Sequence, residues 1–289
     1  MTSKIEWPTL GLIITTYVLW ALVLWLTPTA LGIVILGILI AFQSSLQHEA
    51  LHGHPTQNKH VNAALVFVSL IVLIPYTRFR DTHLAHHNDA DLTDPYDDPE
   101  TNFLDPAVWA KLPAAARLIL RVNNTLLGRL ILGPAIGTIS FFRSEIAQFS
   151  PRIAIQWAAH FAAVAIVVAA VWISPHTWWQ YAIAVYIGTS LLKLRTFLEH
   201  QAADRISARS AIVERGGGLG FLFLFNNLHV VHHMHPKVPW YALPALYQSN
   251  KAHYQRRNGG YVFGSYWQIL KTYAWRAKDP VPHPLRPRR

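Results

Sequence analysis

The chain has 289 residues, 52% of them hydrophobic and none of them cysteine, and its 25 basic against 15 acidic residues leave a formal charge of +10. Without cysteine, disulfides and thiolate-held iron–sulfur clusters are excluded, so any metal ligand must be nitrogen or oxygen. The basic excess accompanies no nucleic-acid-binding motif, which excludes nucleic acid as the expected partner and suits anionic lipid headgroups or an acidic protein.

The apolar residues are bunched rather than dispersed. In chain order, "TLGLIITTYVLWALVLWLT" (9–27) and "ALGIVILGILIAF" (30–42), which runs on through "QSSLQ", are each long enough to cross a hydrocarbon core about 30 Å thick. The first is too long for the apolar part of a signal peptide, and no small-residue cleavage site follows it. The segment 61–76, "VNAALVFVSLIVLIPY", is also apolar. A crossing there would separate the histidines on its two flanks by about 30 Å, so it is predicted to be an interfacial or dipping helix that returns to the same side. The stretch 117–142 carries Arg121, Arg129, Gly133 and Pro134 and is predicted to lie on the surface, partly embedded. Two further spans are expected at 153–174 and 178–198.

The connections "TPTA" and "SPHT" hold no Lys or Arg, so the positive-inside rule places both termini and the 43–152 segment in the cytosol. The expected architecture is an all-α integral membrane protein, one domain over 1–289. Four transmembrane helices form two hairpins below a cytosolic, histidine-rich cap with interfacial helices.

Nine of the 16 histidines fall at four places outside the expected spans: His48 and His52 in "HEALH", His83, His86 and His87 in "HLAHH", His200 after "RTFLE", and His229, His232 and His233 in "HVVHH". Positions i and i+4 share a helical face, so each box aims at least two ring nitrogens one way. Neutral imidazole is a transition-metal ligand, and eight or nine of them have capacity for two ions. Iron fits best, because zinc is satisfied by four ligands and calcium or magnesium would want carboxylates. His54 lies off the face of His52; His60, His235, His253 and His283 are expected at the surface. His160, inside the third span, is expected to hydrogen-bond a neighbouring helix. Glu49, Asp81, Asn226, Asn227 and above all Glu199 and Asp94 stand where an acceptor could hold the far nitrogen of a ligand histidine. "GGG" at 216–218 is not followed by a phosphate-loop lysine and is expected to be a flexible connection.

"HEALH", "HLAHH" and "HVVHH", together with "RTFLEH" and "HMHPKVPWYALP", resemble the three histidine boxes and their flanks in integral-membrane fatty acid desaturases. The resemblance covers nearly the whole chain, from the second span to "HMHPKVPWYALP". It implies a non-haem di-iron centre of two iron ions held by His48, His52, His83, His86, His87, His232 and His233, with His229 as the eighth ligand and His200 as the ninth. Some members carry Gln at the position of His229, and some carry Asn where Thr196 stands. No catalytic residue beyond the metal ligands is implied. The implied reaction takes dioxygen and two external electrons to place a cis double bond in an acyl lipid or acyl thioester. The chain has no GxGxxG fingerprint, and the electrons are expected from a separate ferredoxin or cytochrome b5-type donor. Relatives that hydroxylate or ketolate carotenoids or other lipids supply the alternative reaction. A membrane metal carrier or sensor is the alternative of another class, but it should line its spans with polar ligands, and here they hold almost none apart from His160.

Overall fold

The computed structural model describes residues 5–89 and 91–286. Residues 1–4, 90 and 287–289 lie outside them, and with them the extreme ends that the charge pattern assigns to the cytosol. The chain forms two compact units, Met1–Asp81 with Ala135–Leu192, and Thr82–Pro134 with Lys193–Arg289.

The first half of the chain forms α1 (Trp7–Leu26), α2 (Ala30–Leu51), α3 (Lys59–Val66), α4 (Tyr76–Asn88), α5 (Pro106–Lys111), α6 (Ala114–Asn123) and α7 (Leu126–Ala147). It continues with α8 (Pro151–Ile173), α9 (Trp178–Thr196), β1 (Ile212–Arg215), α10 (Gly217–Leu222), α11 (His229–Met234), α12 (Leu243–Ser249), α13 (Lys251–Arg257), β2 (Val262–Ser265) and α14 (Tyr266–Tyr273). Four helices, α1, α2, α7 and α8, are long and apolar enough to cross a membrane. The number agrees with the sequence reading but the membership differs. The stretch expected to lie flat at 117–142 divides at Asn124, and its second part continues unbroken through Pro134 as α7. Conversely α9, with Lys193 and Arg195 in its last turn, is not among the four.

In the first unit, Leu24, Leu36, Ile40, Leu70, Val167 and Ala184 form a dry core, while Ile14, Val18, Leu22, Ile166 and Trp172 on α1 and α8 point outward. Helices apolar on both faces suit a lipid surround. A Cβ added to Gly188 would lie 2.8 Å from the Gly37 carbonyl oxygen, so α2 and α9 approach at a small-residue contact. The 61–76 segment is not one helix: α3 stops at Val66, and the chain runs irregularly to Tyr76, with Val72 at φ 60°. Irregular backbone among apolar helices needs internal partners for its carbonyls. Tyr17 Oη donates to Val68 O at 2.7 Å, Gln47 Nε2 to Val66 O at 3.1 Å and Tyr181 Oη to Leu70 O at 2.8 Å. His160 Nε2 completes the set by donating to Val72 O at 3.0 Å, a structural hydrogen bond as expected, but to this irregular segment rather than to a neighbouring helix.

Arg78 is buried against Glu145, which also accepts from Trp157 Nε1 at 2.8 Å. Asp81 takes Arg80, Arg152 and Gln156 as partners.

The second unit departs from the all-α expectation. Strands β1 and β2 pair in parallel, with Ile212 opposite Val262 and Val213 opposite Phe263. β-branched Ile212, Val213 and Val262 suit extended backbone, and Ile212 and Val213 are almost fully buried. The glycines at 216–218 open α10 rather than forming a loose connection. Helix α6 exposes Leu118, Ile119 and Val122 beside Arg117 and Arg121, the pattern of an interfacial helix.

Candidate metal centre

Seven box-type histidines lie in the second unit, and the structure sorts them into two groups. His86, His200, His229 and His233 each bring a ring nitrogen within 4.8 Å of the others'. His83, His87 and His232 form part of a second group by the same measure. Both HxxHH boxes therefore serve both groups. In α4 the i, i+4 pair His83 and His87 goes one way, and His86, one residue and about 100° from His87, goes the other. In α11 the i, i+4 pair is His229 and His233, and His232 joins the opposite group.

A six-residue helix such as α11 cannot sustain itself in water. Its residues Val230 and Val231, between the histidines, sink into a core of Ile212, Leu228, Leu243, Tyr247 and Tyr254. Strand β1 fixes the approach: Val213 N donates to Asn227 O at 2.8 Å and Val230 N to Ala211 O at 3.2 Å. The apolar pair in "HVVHH" is thus the anchor that aims the histidines.

The far nitrogens show which ring atoms face the groups. His86 Nδ1 lies 2.7 Å from Asp98 Oδ1 and His83 Nδ1 lies 2.9 Å from Glu100 Oε1; a carboxylate can only accept, so these imidazoles donate from Nδ1 and present Nε2. Asn226 Nδ2 donates to Glu199 Oε1 at 2.9 Å, which turns Asn226 Oδ1 toward His229 Nδ1 at 3.1 Å and gives His229 the same tautomer. Glu199 is balanced by Arg195 at 3.0 Å.

With the tautomers set, the Nε2 atoms crowd one another. His200 Nε2 stands 3.0 Å from both His86 Nε2 and His229 Nε2, and His233 Nε2 stands 3.1 Å from His229 Nε2. His87 and His232 meet Nε2 to Nε2 at 3.1 Å. Nitrogens bound to one first-row metal ion at about 2.1 Å stand about 3.0 Å apart when they are neighbours at right angles, so the spacing fits a shared cation. Burial holds His200, His229 and His233 well below the ordinary imidazole range, with the neighbouring histidines adding to the effect. Burial and the charges of His83 and His86 bring His87 down to about 3. His86 differs: burial opposes its proton, but the Asp98 hydrogen bond and the charges of Glu100, Asp98 and Glu199 prevail and raise it to about 9. A metal ion would displace that proton. Neither group contains a carboxylate or thiolate ligand, which favours a transition ion over calcium or magnesium.

His48 and His52 lie in the first unit, at the end of α2, with ring centroids 4.8 Å apart, the shared face their i, i+4 spacing predicts. His54 turns away to Glu6, with Nδ1 2.7 Å from Oε1.

Of the two carboxylates ranked foremost in the sequence, Glu199 stands 3.7 Å from His229 Nδ1 and acts on it through Asn226. Asp94 touches no histidine of the groups; it caps the turn at Tyr96 and Asp97 and pairs with Arg286. The carboxylates that hold the rings are Asp98 and Glu100, in the same acidic stretch, which sequence spacing did not separate from their neighbours. A turn-rich run of carboxylates offers no periodicity by which to tell the inward-facing members. His283 also departs from its expected surface place and is buried at 6% exposure.

The profile of the fatty acid desaturase family matches residues 9–265 of the chain. No curated protein matches it.

Replacing Asp98 by Asn keeps the shape but removes the charge that orders His86. Metal affinity of the His86 group is expected to fall about 10- to 100-fold in competition with a chelator, with thermal stability little changed. An unchanged affinity would show that Asp98 does not hold the ring.

Proposed function

The chain belongs to the fatty acid desaturase family, and from that membership we propose that it is an oxygen-dependent membrane di-iron oxidoreductase that introduces a cis double bond into the acyl chain of a lipid or thioester. The observation that carries the reading is the pair of carboxylate-free histidine groups in a chain with four helices apolar enough to cross a membrane. In this reading the whole chain is one desaturase domain, with its termini and metal centre on the cytosolic side.

We further propose that His48, His52, His83, His86, His87, His200, His229, His232 and His233 are the ligands of the two irons, and that His86, His200, His229 and His233 hold one of them. When bound, the two ions supply activation of dioxygen for removal of hydrogen from an unactivated C–H bond. The protein's own part is to hold the ligands in one tautomer, through Asp98, Glu100 and Asn226, and to keep water from them by burial. An alkyl chain has no polar handle at its middle, so the reacting carbon must be selected by the shape and depth of the apolar slot that receives it.

Product analysis tests the reaction. In a host expressing the chain, mass spectrometry of the lipids is expected to show acyl chains lighter by two hydrogens, lost when His233 is replaced by Ala and kept when exposed His60 is. A gain of oxygen instead would assign the hydroxylase reaction of the same family.

Electrons would arrive from a separate acidic ferredoxin or cytochrome b5-type protein. Arg205, Arg215, Lys237, Arg256 and Arg257 are among the exposed cations of the second unit, whereas Arg209 is internal. Docking steered by charge predicts that the second-order rate with donor falls steeply as ionic strength rises, with iron content constant. A salt-independent rate, or turnover with NADH and oxygen alone, would contradict it.

A further inference from the structure

The segment that carries Asp98 and Glu100, between α4 and α5, is fastened by residues far away in sequence. Leu104 N donates to Val281 O at 2.9 Å and His283 N donates to Leu104 O at 2.8 Å, so the C-terminal tail lies alongside residue 104 in a parallel bridge. Beyond the bridge, Arg286 pairs with Asp94 and Asp105, and its guanidinium lies over the Tyr96 ring at 4.9 Å. From the other side Arg209 reaches Asp91 and the Leu92 carbonyl, and donates from Nε to Ala203 O at 2.8 Å.

The two fastenings meet at Thr93. His283 Nδ1 accepts from Leu285 N at 3.3 Å, so its proton is on Nε2, which stands 3.1 Å from Thr93 Oγ1 and donates to it. The imidazole edge rests on Phe103 at 5.0 Å. Thr93 has φ 78°, a left-handed conformation that a β-branched residue adopts only when its surroundings impose it. That conformation aims Thr93 N at Asp98 Oδ2, at 2.8 Å, while Asp98 Oδ1 accepts from His86 Nδ1 at 2.7 Å. Hydrogen bonds on either side of Thr93, linked through its own side chain and backbone, therefore join a tail histidine to a ring of the metal centre. His283, Thr93 and Asp98 are all buried, so water is a poor substitute at any step.

We propose that the C-terminal tail is a latch for the metal centre, in which His283 is a positioning residue that fixes the ring of His86 through Thr93 and Asp98. The inference rests on the reading that His86 holds iron. Its consequence is asymmetric: the tail should govern retention of the ion in the His86 group and leave the other ion largely alone. A tail that merely stabilised the fold would loosen both.

The test is the rate at which the iron-loaded, full-length protein gives up each of its two ions to excess ferrous chelator. Asp98→Asn identifies the phase that belongs to the His86 group. In His283→Ala that phase is expected to quicken about 10-fold, the lower end of what loss of an outer hydrogen-bond partner costs in metal affinity, while the other phase changes less than about two-fold. His283→Gln, which can still donate to Thr93, should recover most of the loss. Combining His283→Ala with Thr93→Val should add little, because both cut one path. If His283→Ala does not fold, Arg286→Gln opens the same latch from its outer end and is read in the same way. Equal acceleration of both phases, or none in a protein that holds its irons, would overturn the latch. A wild-type protein that binds no iron would instead contradict the parent reading, and the latch with it.

Discussion

Imidazole nitrogens that present lone pairs to one another at 3.0 Å repel unless something positive stands among them, and the second unit is organised around that constraint. The Nε2 atoms of His86, His83 and His229 are committed to face inward because their opposite nitrogens are spent on Asp98, Glu100 and Asn226. At His200, His229 and His233 burial disfavours the simplest relief, which is protonation, whereas His86 favours a proton that a bound ion would have to displace. A cation shared by several neutral ligands would relieve the crowding, and the two groups of histidines, their tautomers and the surrounding carboxylates suit one.

Holding such an arrangement takes more than the elements that bear the ligands. Helix α11 is six residues long, less than two turns, and would not form alone; Val230, Val231 and the β1 backbone keep it in place. The Asp98 segment has no regular structure, and a β-branched residue within it sits at positive φ, so its geometry is imposed by Arg209 and the tail. The least regular parts of the unit are thus the ones most heavily tied from outside. In the first unit the same principle governs residues 67–75, where Tyr17, Gln43, Gln47, Tyr181 and His160 satisfy irregular backbone amid apolar helices.

How much of this was legible in the sequence depended on periodicity. Histidines three and four residues apart announce a shared helical face, and long apolar runs announce helices of membrane length, so the boxes and the number of such helices could be read directly. The division of each box between two groups was less accessible, because His86 and His87 are neighbours in sequence and diverge only by the turn of the helix. Asp98 and Glu100 were hidden among similar carboxylates, and Asp94, which looked equivalent, faces Arg286. His283 carried no signal in a Pro- and Arg-rich tail; its role arises from a long-range bridge at Leu104. Helix α7 keeps a long apolar middle beyond Arg129, which a reading that weighed Arg121, Arg129, Gly133 and Pro134 undervalued, whereas α9 is shorter and combines polar Gln180 and Tyr181 at its start with Lys193 and Arg195 at its end.

The central claim is that the histidine groups hold two irons through nitrogen alone. Iron-edge X-ray absorption on the purified protein, with its metal content counted in the same sample, tests it most directly. The account predicts close to two irons per chain, each surrounded by nitrogen or oxygen near about 2.1 Å, the ordinary distance for imidazole on a first-row ion, with an imidazole scattering pattern and no sulfur. Zinc alone, at one ion per chain in fully active protein, would contradict it.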